Sequence, residues 1–352
     1  LDAFTVASVR ETDGDAIAIN EQRYAPNIKN VVSADSLGDV MDGNIGEFMK
    51  FLPGVIPEYD YEDGTTVSAI SIRGFSPHMV DISTDGAQMA NTSNAMGDSR
   101  AFAFNQASIN NISRIEVTKV PTPSNSASSL SGSVNMISKS AFERRKAQLR
   151  YNVNLAANSE NFSFKKEPHT TEEKIFKILP GGNFDLTLPI GSRFGIVLTG
   201  SSSDRYAKLH YSYNTYNGVA AGTGATPENP YLQTYRLLDS PRVLTRQSAG
   251  IKADWKVTKN SVLSFGYQAS HFESKRIATE FNINVGTNAT PNPATAIPLT
   301  FGPDFVSGAT GRGSMTTGGA ASVHGVTDTM AGNLRYRFDN GVWRVQVGVD
   351  QS

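Results

Sequence analysis

Five histidines at positions 78, 169, 210, 271 and 324, and no cysteine at all, leave this chain with little of the usual apparatus of catalysis. The histidines are scattered, without the clustered spacing of a metal site, so no metal is expected. The absence of cysteine removes disulfides, thiolate metal ligands and a thiol nucleophile. No paired carboxylates and no Ser–His set stand out either, so no catalytic residue is predicted. The chemistry that remains is recognition. Arg73, within Ser71-Ile72-Arg73-Gly74-Phe75, carries a planar fork that can hold a carboxylate bidentately. Arg114 and Glu116 alternate with Ile115 and Val117, and Lys119 follows. Tyr59 and Tyr61 lie in the stretch 57–65, and Asn91, Asn94 and Arg100 lie in 91–100, with His78 between the two. Rings beside amides and charges suit sugars, through stacking plus hydrogen bonds, though ordinary loops carry the same residues.

Those residues sit in a first half of mixed grammar. Residues 1–30 are polar, with one β-prone stretch at 4–9, and read as an extended tail. A short helix is expected at 44–52, where Ile45, Phe48, Met49 and Leu52 share a face and Pro53-Gly54 ends it. Strands are expected at 67–72, 80–83, 114–120 and 133–138. Asp85-Gly86 is a hairpin-turn signal, and 121–132 is loop, rich in Pro, Ser and Gly. Gly74, Gly86 and Gly132 are expected to serve backbone geometry. The sum is a small α+β domain over 31–141.

From Gln148 onward the grammar changes to strict alternation. Leu149, Tyr151, Val153 and Leu155 alternate with polar residues, and so do Phe184/Leu186/Leu188 and Phe194/Ile196/Leu198. The same beat recurs at Ala249/Ile251/Ala253/Trp255/Val257, Leu263/Phe265/Tyr267/Ala269, Leu334/Tyr336/Phe338 and Trp343/Val345/Val347/Val349. A period of two means strands with one apolar and one polar face. Short turns are expected near 189–192, 258–261 and 339–341, and long loops near 158–181, 214–241 and 283–324. Short turns at one end and long loops at the other are the layout of an outer-membrane barrel. Tyr206, Tyr211, Tyr213 and Tyr216, with Trp255 and Trp343, would suit interfacial belts. Arg335, Arg337, Arg344 and Gln346 should face the lumen. A soluble sandwich or barrel alternates in the same way.

Bulk properties agree with that reading without forcing it. The chain has 352 residues, room for about two domains. Its mean hydropathy is −0.30, and no apolar run approaches the ~20 residues of a membrane helix. Barrels evade that test, because only half of each strand meets lipid. A net charge of −1 argues against nucleic acid as a partner. The start at Leu1 rather than Met reads as a processed or excised sequence.

In the first half, several motifs fall in a familiar order. Ser71-Ile72-Arg73-Gly74-Phe75 resembles the Ile-Arg-Gly motif of the plug domain of TonB-dependent outer-membrane receptors, and Asp85-Gly86 resembles that family's Asp-Gly turn. The stretch 112–139, ISRIEVTKVPTPSNSASSLSGSVNMISK, is similar to the plug's closing segment. Leu52-Pro53-Gly54-Val55 is similar to the family's Leu…Pro-Gly-Val stretch. Phe4, Thr5, Val6, Ala7 and Ser8 resemble a TonB box. Val120 departs from the family's usual glycine, and Ser131-Gly132 replaces a more common Tyr-Gly or Gly-Gly.

The resemblance implies an α+β plug at 31–141 behind an N-terminal tail at 1–30, then antiparallel transmembrane barrel strands at 142–352. Seven strands are readable, against the about 22 of a plugged transporter, and the remainder is expected beyond Ser352. It implies TonB-dependent active uptake across the bacterial outer membrane, with no cofactor and no bond made or broken. The TonB protein, with its inner-membrane ExbB–ExbD motor, would pull residues 4–8. Arg73 and Lys119, with Arg114 and Glu116 nearby, would latch plug to wall. Other expected partners are outer-membrane lipid, an accessory surface lipoprotein and a scarce nutrient, with the receptor a monomer. The Pro-Thr-Pro-Ser-Asn-Ser loop favours an oligosaccharide, with an iron–siderophore second. A passive porin-like channel, an adhesin barrel, a signalling receptor and a soluble β-sandwich hydrolase are the alternatives.

Overall fold

The computed structural model describes residues 13–37, 44–59, 66–89, 101–104, 109–123, 125–144, 146–167, 175–219, 222–284, 298–308 and 314–352. The first half is built on a sheet of five strands in the order β1-β6-β7-β4-β5. These are β1 (Lys29–Ser33), β4 (Val80–Thr84), β5 (Ala87–Gln88), β6 (Ile112–Thr118) and β7 (Gly132–Ser138). β4 and β7 pair in parallel, and the other neighbours are antiparallel. A hairpin of β2 (Val55–Tyr59) and β3 (Val67–Ile72) lies beside them with helix α2 (Ile45–Met49).

One core holds these elements together. Ile45, Phe48 and Met49 of α2 pack with Ile70 and Ile72 of β3 and with Ile115, Val117, Val134 and Met136 of the sheet. Asn44 caps α2: its side chain accepts from Gly46 N at 2.8 Å and donates to Val67 O at 3.0 Å, joining helix to hairpin. Gly132 opens β7 at φ +150, where a Cβ would meet Thr118 O at 2.6 Å, so any side chain there would force β6 and β7 apart.

The stretch expected to be an extended tail differs from 13 onward. Asp13 caps helix α1 (Gly14–Arg23) through bonds from Asp15 N and Ala16 N, and β1 pairs along β6. Neither element has a strong local signal. Only Ala18 of α1 is buried, and β1 is recruited by a partner far along the chain. Likewise β2 occupies part of a stretch read as loop. Residues 4–8 lie outside the described residues.

The second half is one antiparallel meander, in the order β16-β15-β12-β11-β10-β9-β8. Its strands are β8 (Gln148–Ala157), β9 (Ile178–Ile190), β10 (Phe194–Asn217), β11 (Tyr231–Thr258), β12 (Ser261–Asn284), β15 (Ser314–Asp339) and β16 (Arg344–Gln351). A small hairpin, β13 (Thr300–Phe301) and β14 (Val306–Ser307), lies in the connection between β12 and β15. Registers place the alternating residues in cross-strand rows. Ile196, Leu188, Ala253, Phe265, Leu334 and Val349 form one row, and Leu198, Leu186, Leu149, Ile251 and Tyr267 another. The apolar face ends at a polar row of Ser202, Gln247, His271 and Asp328. Between that row and the short turns, about nine tilted residues of β12 match the span of a transmembrane strand.

The strands do not stop there. β10, β11, β12 and β15 have 24, 28, 24 and 26 residues, more than twice what crossing needs. The expected loops near 214–241 and 283–324 are therefore shorter, at 218–230 and 285–313, and the one near 158–181 ends at 177. Beyond the lipid both faces of a ribbon meet water, so alternation fades while backbone pairing continues. Tyr206 corrects the belt assignment: it is 2% exposed and donates to Glu167 at 2.8 Å. Tyr211, Tyr213, Tyr216, Trp255 and Trp343 are exposed.

Candidate functional site

The polar face of the wall strands meets the first domain along one seam. Lys252 of β11, on that face, is buried at 8% exposure. Its ammonium donates to Ser138 Oγ at 2.5 Å and lies 3.6 Å from Asp85 Oδ2. Ser138 in turn donates to Asp85 through its hydroxyl and, at 3.0 Å, through its backbone N. Asp85 and Gly86, at φ 52 and 87, form the turn between β4 and β5. Burial works to raise the Asp85 carboxyl, but Lys252, the Ser138 hydrogen bonds and the field of Arg335 outweigh it and hold it below its ordinary value.

Further contacts extend the seam. Lys139 pairs with Asp185 of β9 and donates to Asn110 O at 3.0 Å. Ser140 donates to Asp254 at 2.6 Å, and Ser264 of β12 donates to the same carboxylate at 2.6 Å. The Lys256 ammonium sits 4.0 Å over the Phe142 ring. Ala141 lies against Gly195, where a Cβ would come within 2.5 Å of the Ala141 Cβ. Charge-assisted bonds of this kind are strong and directional. Once broken, their groups can be solvated by water on the polar face, so the seam holds position yet can reopen, as a greasy interface of equal strength would not.

The residues singled out in the sequence lie elsewhere in the first domain. Arg114 binds Glu21 of α1 bidentately, at 2.7 Å through both nitrogens, and lies 3.6 Å from Glu143. Glu116 pairs with Lys29 of β1 at 2.8 Å. Arg73, at φ 55, reaches Ser131 O at 3.5 Å and stacks 5.5 Å over Phe75, with Gly74 at φ 78 completing the turn. Lys119 N donates to Ile28 O at 2.9 Å, and its side chain lies over Gly54. Among the described residues these four therefore bind within the first domain. The ends of β1 and α1 are what Arg114 and Glu116 secure. Tyr59 is 44% exposed at the end of β2, and His78 lies in the 3-10 turn Pro77–Met79. Tyr61, Asn91, Asn94 and Arg100 lie outside the described residues.

Sequence reasoning missed Asp85, Ser138, Lys139, Ser140, Asp185, Lys252 and Asp254 as a set. A signal existed. Lys252, Asp254 and Lys256 are the polar complement of Ile251, Ala253 and Trp255, and that complement must face inward when the apolar set faces lipid. Arg335 was placed inward on this logic, and the structure pairs it with Asp350 at 3.5 Å on the face that meets Asp85. Among the described residues no group of three or more His, Asp or Glu side chains is gathered to hold a metal ion.

Residues 21–134 match a family model described as TonB-dependent Receptor Plug Domain. No curated protein matches the chain. Among solved structures it is similar to the ferric citrate transporter FecA in its unliganded form, at 13% identity over 98% of this chain and 58% of that one, with a TM-score of 0.38. It is similar to the siderophore receptor PirA from Acinetobacter baumannii, at 13% identity over 94% and 57%, with a TM-score of 0.40. It is also similar to the ferric-catecholate import receptor Fiu from K12 E. coli in its closed form, at 13% identity over 93% and 46%, with a TM-score of 0.44. The chain thus spans between 46% and 58% of the length of these three. Residues 21–134 thus match the plug domain of TonB-dependent receptors, and the sheet that carries the match is followed by seven alternating antiparallel strands of the kind that build a β-barrel.

Proposed function

We propose that this protein takes up a scarce nutrient across the bacterial outer membrane, driven by TonB and its ExbB–ExbD motor. The observation that carries the reading is the seam: a folded plug is held to the inward face of the wall by Lys252, Asp85, Ser138, Lys139 and Asp185 rather than by apolar packing. A passive pore has no use for a domain so placed. Ligand binds from outside, and residues 4–8 then pair with TonB by strand addition, a main-chain mode that tolerates sequence. Tension on that segment remodels the plug and opens a path. The cargo passes through unchanged, so the protein is not an enzyme. Arg73 and Lys119 serve as latch residues toward further wall carboxylates, and Tyr59, Tyr61, His78, Asn91, Asn94 and Arg100 face the cargo at the plug apex. An oligosaccharide is the first cargo.

Deleting residues 4–8 tests the reading. Energised uptake should be lost while ligand binding at the surface persists. Uptake that survives the deletion refutes the role of this segment, and uptake that also survives loss of the proton-motive force refutes active transport.

A further inference from the structure

The outer ends of the long strands hold a second constellation, formed by the loop 222–230 and the β13–β14 hairpin. These two segments are bonded together: Leu299 N donates to Thr223 O at 2.8 Å, and the Phe301 ring lies 3.6 Å from where a Gly224 Cβ would stand. Each is closed on itself. Gly302 N donates to Phe305 O at 2.8 Å, and Thr226 and Asn229 exchange backbone bonds of 3.2 and 3.0 Å. Between them and the ends of β10 and β11 is a cavity of about 480 Å³, within the size range of small-molecule sites.

Its lining is chemically one-sided. Tyr216, Phe301 and Phe305 supply rings, and Glu228, Asp304 and Asn229 supply polar groups, with no lysine, arginine or histidine among the lining residues. The acids on the neighbouring strands are paired with cations: Asp239 with Lys208, Glu280 with Arg236, and Glu273 with Lys275. Glu228 and Asp304, by contrast, have no hydrogen-bond or ion-pair partner among the described residues. Two carboxylates offer only acceptors, the amide adds donors, and aromatic faces offer flat apolar surface. An anionic chelate would meet like charge and, among the described lining residues, no cation to offset it.

We propose that this cavity is a binding subsite for a neutral, hydroxyl-rich ligand: one or two rings of an oligosaccharide. Sugar C–H faces stack on Phe301 and Phe305, while hydroxyls donate to Glu228 and Asp304. Among the described residues no group of three or more acids or histidines able to hold a metal ion includes either carboxylate. The proposal rests on the uptake reading for its biological setting, but binding is measured without transport.

The test uses the full receptor, purified in detergent, with neutral oligosaccharides of three to six glucose, mannose, xylose or galactose units. Choline serves as an organic cation and ferric citrate as an anionic chelate. Calorimetry should detect binding of at least one neutral oligosaccharide. Phe305→Ala and the near-isosteric Glu228→Gln should each weaken it at least tenfold, and both positions are loop residues whose change spares the core. Binding of choline or ferric citrate that those variants weaken, or no binding of any neutral oligosaccharide, overturns the subsite. If sugar binds but its uptake ignores deletion of 4–8, the uptake reading fails and the subsite stands. If TonB-driven uptake of another solute is found while no sugar binds, the reverse holds.

Discussion

Lys252, six residues before the C-terminal end of wall strand β11, lies 3.6 Å from Asp85 at the tip of the plug's β4–β5 turn, with the Ser138 hydroxyl bridging the two. Removing one member of such a buried pair costs about 3–5 kcal/mol, because the other is left uncompensated. Lys252→Met should therefore loosen the plug locally. Amide hydrogen exchange over 84–88 and 136–140 should accelerate, while exchange in α2 stays slow. Adding Asp85→Asn to Lys252→Met should restore most of the protection, as coupled partners do. Unaltered exchange in the single variant would show that the lysine does not hold the turn.

The direction of pull can be traced with engineered disulfides, since the native sequence contains no cysteine. Among the described residues β1 is an edge strand, paired with β6 alone in its sheet, and is the first strand in chain order. The closing turn Ala141–Glu143 leads within a few residues into β8. Cross-linking Asn30→Cys to Val117→Cys, which are register partners, should abolish uptake until a reductant is added. Cross-linking Ala141→Cys to Gly195→Cys should leave uptake within about twofold, after a shift of about 1 Å to reach disulfide geometry. The opposite pattern in a radiolabelled uptake assay would place the moving part of the plug at the closing turn.

Glu167 pins the connection between β8 and β9 to the outer part of β10. It is buried, and it accepts from Lys208 at 2.6 Å, Lys177 at 3.0 Å and Tyr206 at 2.8 Å. Burial raises its carboxyl, but the hydrogen bonds from Lys208, Lys177 and Tyr206 lower it further, to about 2 from an ordinary 4.5. A lowered folded value means the stabilisation is complete above about pH 4.5 and is lost as the pH falls toward about 2. Protease cleavage within 158–177 should thus be slow and constant from pH 5 to 8. In Glu167→Gln it should rise at neutral pH by at least tenfold. Equal cleavage of the two proteins would remove Glu167 from the pin.

The two faces of β12 should respond oppositely to charge. Phe265 belongs to the apolar row and is 45% exposed, whereas Gln268 is on the face turned to the plug. Phe265→Arg should cost about 2–4 kcal/mol in the bilayer, read as a lower urea midpoint of the refolded barrel. Gln268→Arg should shift that midpoint by less than a quarter as much. Equal losses would contradict the assignment of faces.

The sequence by itself determined which residues form the wall strands and which of their faces is apolar, because a period of two survives any tertiary arrangement. Ile196, Ala253, Phe265 and Leu334 were readable as one apolar face before their shared row was seen. It also determined the helix at Ile45–Met49 and the turn at Asp85-Gly86, since caps and positive φ are local demands. Only the tertiary structure decided that Asp13–Ser33 is a helix and an edge strand rather than a tail, because β1 exists by pairing with residues about 85 positions away. Only it showed that the wall strands run on past the lipid, where water on both faces erases the alternation. And only it chose partners for the charges. Arg114 and Glu116 could have reached the wall but bind α1 and β1, while Lys252 and Asp185 receive the plug. A charge on a polar face declares that it needs a counter-charge; which one it meets depends on where the chain, folded elsewhere for other reasons, happens to bring a carboxylate within reach.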